Sequence, residues 1–258
     1  MSHAFLLVTV GLFGLLVGSF LNVVIWRIPR GESVVKPGSH CPGCDHELSP
    51  LENVPVLSWL TLRGRCRHCQ TRISFRYPAV ELATAGLWVG LAQRFGSSWE
   101  LPAFLALAAG LVALSMIDFD HFLLPNKVLY PTGILVAGLL LLPGAIDGEW
   151  DSYGRAALGG LAAFLVFLLI HVISPRGMGF GDVRLSFVLG LALGWLSWGH
   201  IFLGLFLGFA LGALIGVLLI ATKVRTRKDH VPFGPFLAAG GLIAVFAGTQ
   251  LLELYSGS

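Results

Sequence analysis

The sequence predicts an all-α polytopic membrane protein of about eight transmembrane helices with a small cytoplasmic zinc-ribbon-like insert. Three observations carry that prediction. Hydrophobic residues make up 55% of the 258 and charged residues 12%, against about 25% charged in a soluble domain. The polar groups are too few to cover a globule in water. The apolar residues gather into eight runs, each near the roughly 20 residues that cross a bilayer. One long polar stretch, residues 27–78, interrupts them and holds all four cysteines.

The predicted segments run over 4–26, 79–95, 101–118, 128–146, 155–173, 183–199, 201–222 and 236–254. All are expected to be helices, because lipid offers no partner to an open backbone group. The first lacks a basic leader, is long, and runs straight into Trp26 and Arg27. It reads as a retained helix rather than a cleaved signal peptide. The organisation expected is a first transmembrane helix (1–26), a four-cysteine loop (27–78) and a seven-helix membrane core (79–258). Gly204, Gly208, Gly212 and Gly216 recur every four residues in the seventh segment. They form a small-residue face suited to close packing, within the chain or between two copies.

Alternating the segments sorts the basic residues sharply. Arg94 and Arg155 fall on one side, and the remaining fifteen of the 17 Lys and Arg fall on the other, including the run Lys223, Arg225, Arg227 and Lys228. The crowded side is therefore cytoplasmic, and both termini lie outside. The net charge of +3 is too small to suggest a nucleic-acid partner. Lipid is the expected surrounding.

Cys41-Pro-Gly-Cys44 and Cys66-Arg-His-Cys69 are paired C-x2-C units separated by 21 residues. That spacing fits a four-thiolate zinc site. Gly43 suits a tight turn, and Arg63, Arg65 and Arg67 favour the thiolate form. Two disulfides are the competing reading, disfavoured in a reducing cytoplasmic loop. Four thiolates leave no open coordination position, so the expected zinc is structural, a staple for a loop too small to build much core. His40, His46 and His68 read as solvated loop histidines.

Two acids stand at the edges of apolar runs. Asp118 closes the run 101–117, and Asp182 follows Gly-Met-Gly-Phe-Gly (177–181) and opens the next. The topology brings both to the cytoplasmic face. An ionisable group at the edge of hydrocarbon is costly and points to function. Two carboxylates sharing one proton can activate water against a peptide carbonyl. Asp118 sits at a helix C-terminus and Asp182 at an N-terminus, where the macrodipole disfavours and favours negative charge respectively. Asp118 is thus the expected proton holder and Asp182 the expected base. Gly179 and Gly181 let the chain enter the helix sharply or make room for an extended substrate. For Asp182 the competing role is helix capping. Asp120 reads as a solvated loop acid, Asn22 as an interhelical hydrogen-bonding residue.

These motifs, in this order, resemble the bacterial prepilin peptidases, or type IV leader peptidases. The likeness runs through Gly18-Ser-Phe-Leu-Asn-Val-Val-Ile-Trp-Arg27, both C-x2-C units, Asn53-Val-Pro-Val-Leu-Ser-Trp59 and Arg63-Gly-Arg-Cys66. It continues through Arg76-Tyr-Pro-Ala-Val-Glu81, Ile117-Asp118 with Leu124-Pro125, Gly-x-Gly-Asp at 179–182, and Val231-Pro-Phe-Gly-Pro-Phe236. The resemblance implies an inner-membrane aspartic protease of the GxGD type with Asp118 and Asp182 as its catalytic pair. It implies cleavage of the basic leaders of type IV prepilins or type II secretion pseudopilins. It also implies N-methylation of the new terminus with S-adenosylmethionine. Asn126 stands where the family often has Asp, and Arg184 where it often has Lys. No glycine-rich nucleotide loop is visible in residues 27–78. Glu52 and Glu81 are open to a role in methyl transfer or leader binding, or to pairing with nearby arginines. A transporter using Asp118 and Asp182 as proton or cation ligands is the competing function, although no inverted repeat is detectable.

Overall fold

A computed structural model describes residues 2–41, 43–175, 177–223 and 231–256. Arg176, Arg225, Arg227 and Lys228 of the basic side lie outside the described residues. Among the described residues all regular structure is helical, apart from two isolated antiparallel bridges, His40 with Glu47 and Arg65 with Arg72. The chain forms two compact units, 1–97 and 98–258.

The first unit is built on α1 (His3–Arg27) and α3 (Arg76–Phe95), which pack along each other. Gly14 and Gly18 make this possible. A Cβ on either would lie within 2.8 Å of the α3 backbone at Ala85 or Glu81. Asn22 bonds across this contact, its Nδ2 donating to the Tyr77 carbonyl at 3.1 Å, which is the interhelical role read from sequence. Between the two helices lie the four-cysteine loop and the short α2 (Leu57–Thr61). Arg27 ties this loop down. Its buried guanidinium donates to the carbonyls of Ser33, Pro37 and Gly38 at 2.8–3.0 Å.

In the second unit α4 (Leu101–His121) is the central element, with Phe104, Leu107, Leu111, Leu114 and Ile117 fully buried. Pro102 opens it and Phe122, in the left-handed region at φ 54°, closes it. Against it pack α5 (Asn126–Leu139), α8 (Phe180–Leu196) and α10 (Gly234–Ser256), and the unit also contains α6 (Leu141–Asp147), α7 (Trp150–Ile173) and α9 (Trp198–Ala221). The expected segment 128–146 is thus two helical pieces meeting at Leu140. Helices α7 and α8 pack backbone to backbone at Gly190, whose Cβ would come within 2.6 Å of the Gly159 carbonyl. The glycine face of α9 packs inside the chain. Gly204 lies against Leu193 and Ala244, Gly208 against Leu237 and Gly212 against Phe233, while Gly216 meets none of the described residues.

Each expected segment overlies helix, but among the described residues six stretches are long and apolar enough to cross a membrane: 3–30, 101–121, 126–147, 150–173, 198–221 and 234–254. The other two differ for identifiable reasons. Helix α3 carries Arg76, Glu81 and Arg94, and α8 has 17 residues. Arg155, one of the two basic residues expected outside, donates to the carbonyls of Gly194 and Trp195 at 2.8 and 2.6 Å. A cation there suits the negative end of α8.

Candidate active site and metal centre

Asp118 lies in the last turn of α4 and Asp182 in the first turn of α8, two helices that contact each other. Both side chains are buried, at 5% and 8% exposure, and they are near enough to interact electrostatically. The sequence expectation that two remote acids converge is what the chain does here. Asp182 is not the N-cap. That position belongs to Gly179, in extended backbone, and Asp182 stands three residues in, its carboxylate accepting the Gly179 amide. An acid at this position reaching back to the cap is half of a capping box. Asp118 likewise accepts one backbone amide, from Gly234 at 3.0 Å. Each acid therefore has one such donor, so these bonds add nothing to the distinction drawn from the helix ends.

The glycines around the pair serve close approach. A Cβ on Gly181 would lie 3.0 Å from the Leu124 side chain, one on Gly179 3.1 Å from Asp182 Oδ2, and one on Gly234 2.8 Å from Asp118 Oδ2 and 3.0 Å from Leu124. Leu124 thus wedges between Gly181 and Gly234. Gly234 and Leu124 were not singled out in the sequence as site residues. Both stand inside blocks quoted for the resemblance, Leu-Pro at 124–125 and the block 231–236, and that position was the available signal. The two departures from the family pattern meet each other. Arg184 Nη1 donates to Asn126 Oδ1 at 2.6 Å, with the guanidinium over the rings of Phe180 and Tyr130.

In the first unit the four cysteines come together, every Sγ within 4.8 Å of the others. Cys41 and Cys69 are 3.7 Å apart, Cys44 and Cys66 4.0 Å. Tetrahedral zinc with bonds of about 2.3 Å sets its sulfurs about 3.8 Å apart, so the donor set fits a metal ion. The loop reaches this arrangement through two hairpins of one design. In the first, Leu48 N donates to Ser39 O, Cys41 N to His46 O, and Asp45 N to Cys41 O. In the second, Ile73 N donates to Gly64 O, Cys66 N to Thr71 O, and Gln70 N to Cys66 O. Asp45 and Gln70 occupy the left-handed region at φ 53° and 57°. The left-handed residue of the first turn is therefore Asp45. Gly43 is needed for space, since its Cβ would lie 2.8 Å from Thr71 Oγ1. The Thr71 hydroxyl and amide hold the Cys69 thiol down to about 6.

Read separately as loop residues, His46 and His68 meet with ring centroids 3.6 Å apart and planes tilted by 41°. With Glu52 they bring three further ligand-type atoms within 4.8 Å of one another. Glu52 and Glu81 bond to backbone. Glu52 accepts the amide and hydroxyl of Ser49, which hold its carboxyl below the usual range. Glu81, buried, accepts the Val56 amide at 2.7 Å. Asn22, Trp26, Trp59, Tyr77 and both glutamates line a cavity of about 370 Å³ in this unit.

Residues 12–95 match the bacterial peptidase A24 N-terminal domain, and residues 105–217 match the type IV leader peptidase family. The chain belongs to this family. It is 37% identical over 269 residues to the prepilin leader peptidase/N-methyltransferase of Stutzerimonas stutzeri, covering 94% of this chain and 91% of that one. The protein of the same name from Aeromonas hydrophila is 39% identical over 273 residues, covering 95% and 91%. That from Pseudomonas aeruginosa is 38% identical over 280 residues, covering 98% and 93%. No solved structure matches. The transporter reading finds no support among these relatives.

Proposed function

We propose that this protein cleaves the leader peptide of type IV prepilins or type II secretion pseudopilins and then N-methylates the exposed terminus with S-adenosylmethionine. The observation that carries the peptidase half is the convergence of two buried carboxylates from α4 and α8, each accepting a backbone amide. Such a pair shares a proton. One member takes the proton of an attacking water while the other donates to the carbonyl oxygen of the scissile bond. The printed names of the relatives support the substrate and the methyl transfer.

In this reading Asp118 and Asp182 are catalytic, and Gly179 and Gly181 shape the approach. Cys41, Cys44, Cys66 and Cys69 hold a structural zinc ion. The spacing of the sulfurs supports it, and four thiolates would leave no position for a water nucleophile. The division is a first helix (1–26), a cytoplasmic metal-binding loop (27–78) and a membrane peptidase core (79–258). The asymmetry of Lys and Arg supports an inner-membrane protein with its site at the cytoplasmic face.

The test uses purified protein with a prepilin substrate and a labelled methyl donor. Asp118→Asn and Asp182→Asn each lower cleavage by about 10²–10⁴-fold while leaving bound zinc unchanged. Cleavage at the wild-type rate in both variants sinks the dyad.

A further inference from the structure

Methyl transfer to an amine needs a place for a sulfonium nucleoside, and residues 27–78 show no glycine-rich nucleotide loop. The first unit offers a cavity. Its volume, about 370 Å³, lies within the roughly 300–1,000 Å³ of small-molecule sites. Its wall is formed by the end of α1, the start of α3 and the loop that carries the cysteines. Its chemistry is selective. Trp26, Trp59 and Tyr77 supply aromatic surface, suited both to stacking a purine and to meeting a fixed cation. Glu52 and Glu81 supply carboxylates; of the three arginines in the wall Arg27 is held by loop carbonyls, and Arg67 and Arg72 are cations for a ligand carboxylate. Glu81 is the informative one. It is 7% exposed, and the partners its carboxylate takes, the Val56 amide and the Ser19 hydroxyl, are neutral donors. A buried carboxylate held only by neutral donors favours a cationic ligand. The segment beside it is strained. Val56, a β-branched residue, sits at φ 60°, and a conformation of this kind persists where surrounding contacts over-determine it, often at ligand clamps.

We infer that this cavity is the methyl-donor site, taking S-adenosylmethionine with its sulfonium toward Glu81 and its adenine among the aromatic rings. The inference rests on the methyl-transfer half of the function proposed above. The step balances simply. The new pilin terminus loses a proton to water, its nitrogen lone pair forms the N–CH₃ bond, and the S–CH₃ bond breaks with its electrons remaining on sulfur. The sulfonium becomes a neutral thioether. Its attraction to Glu81 then falls, which favours release of the spent donor.

The test is made on the full chain in detergent with S-adenosylmethionine tritiated in its methyl group. Equilibrium dialysis measures affinity, and ultraviolet cross-linking followed by peptide mapping locates the label. Label on peptides within 19–27, 52–59 or 72–81 supports the site. Glu81→Gln keeps the side chain's shape and is expected to weaken donor binding about tenfold, with the rate of prepilin cleavage unchanged. Wild-type affinity in Glu81→Gln overturns the assignment. Label mapping outside 19–81 in protein that still methylates prepilin overturns the site and leaves the function standing. Wild-type protein that neither binds the donor nor methylates prepilin overturns both.

Discussion

At the residue scale, Asp118 and Asp182 each lean on a backbone amide. Gly234 donates to Asp118, and its Cα faces Asp118 Oδ2 and Leu124 so closely that any side chain must displace one of them. Gly234→Ala is expected to cut cleavage by about ten- to a hundredfold, since small misplacements of reacting groups carry costs of that order. The kinetics of a purified variant that retains its thermal midpoint check this. Glu52 makes a second prediction. Its carboxyl is held below the usual range by the Ser49 amide and hydroxyl. A lowered folded-state value stabilises the ionised form. That contribution is complete above the ordinary carboxylate range and is lost as pH falls through the lowered value. Thermal midpoints measured from pH 7 downward should fall less steeply in Glu52→Gln than in wild type.

At the scale of elements, the helices were legible because apolar length is a strong signal, while their breaks and pairings were not. The joint between α5 and α6 at Leu140 has one mark in 128–146, Pro143, which has no amide hydrogen for the Leu139 carbonyl, and apolar runs on both sides mask it. The packing of α7 on α8 and of α9 on α10 rests on which glycines face each other, and periodicity places a glycine on a face without naming the neighbour. The link between α5 and α8 is of the same kind. Asn126 and Arg184 were read as two separate departures from a pattern, yet they form one hydrogen bond. Asn126→Asp converts it to an ion pair at an exposed position. A gain of about 0.2–1 kcal/mol is expected, visible as a higher thermal midpoint in low salt that fades as salt is added. An unchanged midpoint at low salt counts against the link.

At the scale of the whole molecule, the sequence disclosed the fold class and pointed to the acids and the cysteines that the structure brings together, because acids and cysteines are rare enough here to stand out. It did not disclose the cavity. That space is assembled from α1, α3 and the loop, three stretches whose individual residues look ordinary. The two hairpins of the cysteine loop supply one pair of thiols each, so neither closes a metal site alone. Cys41→Ser and Cys66→Ser are each expected to abolish stoichiometric zinc and methyl transfer, while prepilin cleavage persists. Metal analysis and the two product assays check this, and cleavage lost in step with zinc would argue against separate centres. Arg27 adds a matter of timing. A nascent segment is oriented as it enters the bilayer, when this guanidinium is still a bare positive charge beside the first helix. Once the chain has matured, three carbonyl oxygens enclose the same group. On the topology proposed above, the charge that orients the first helix is thereby withdrawn from the headgroups, and one arginine serves first as a signpost and later as a rivet.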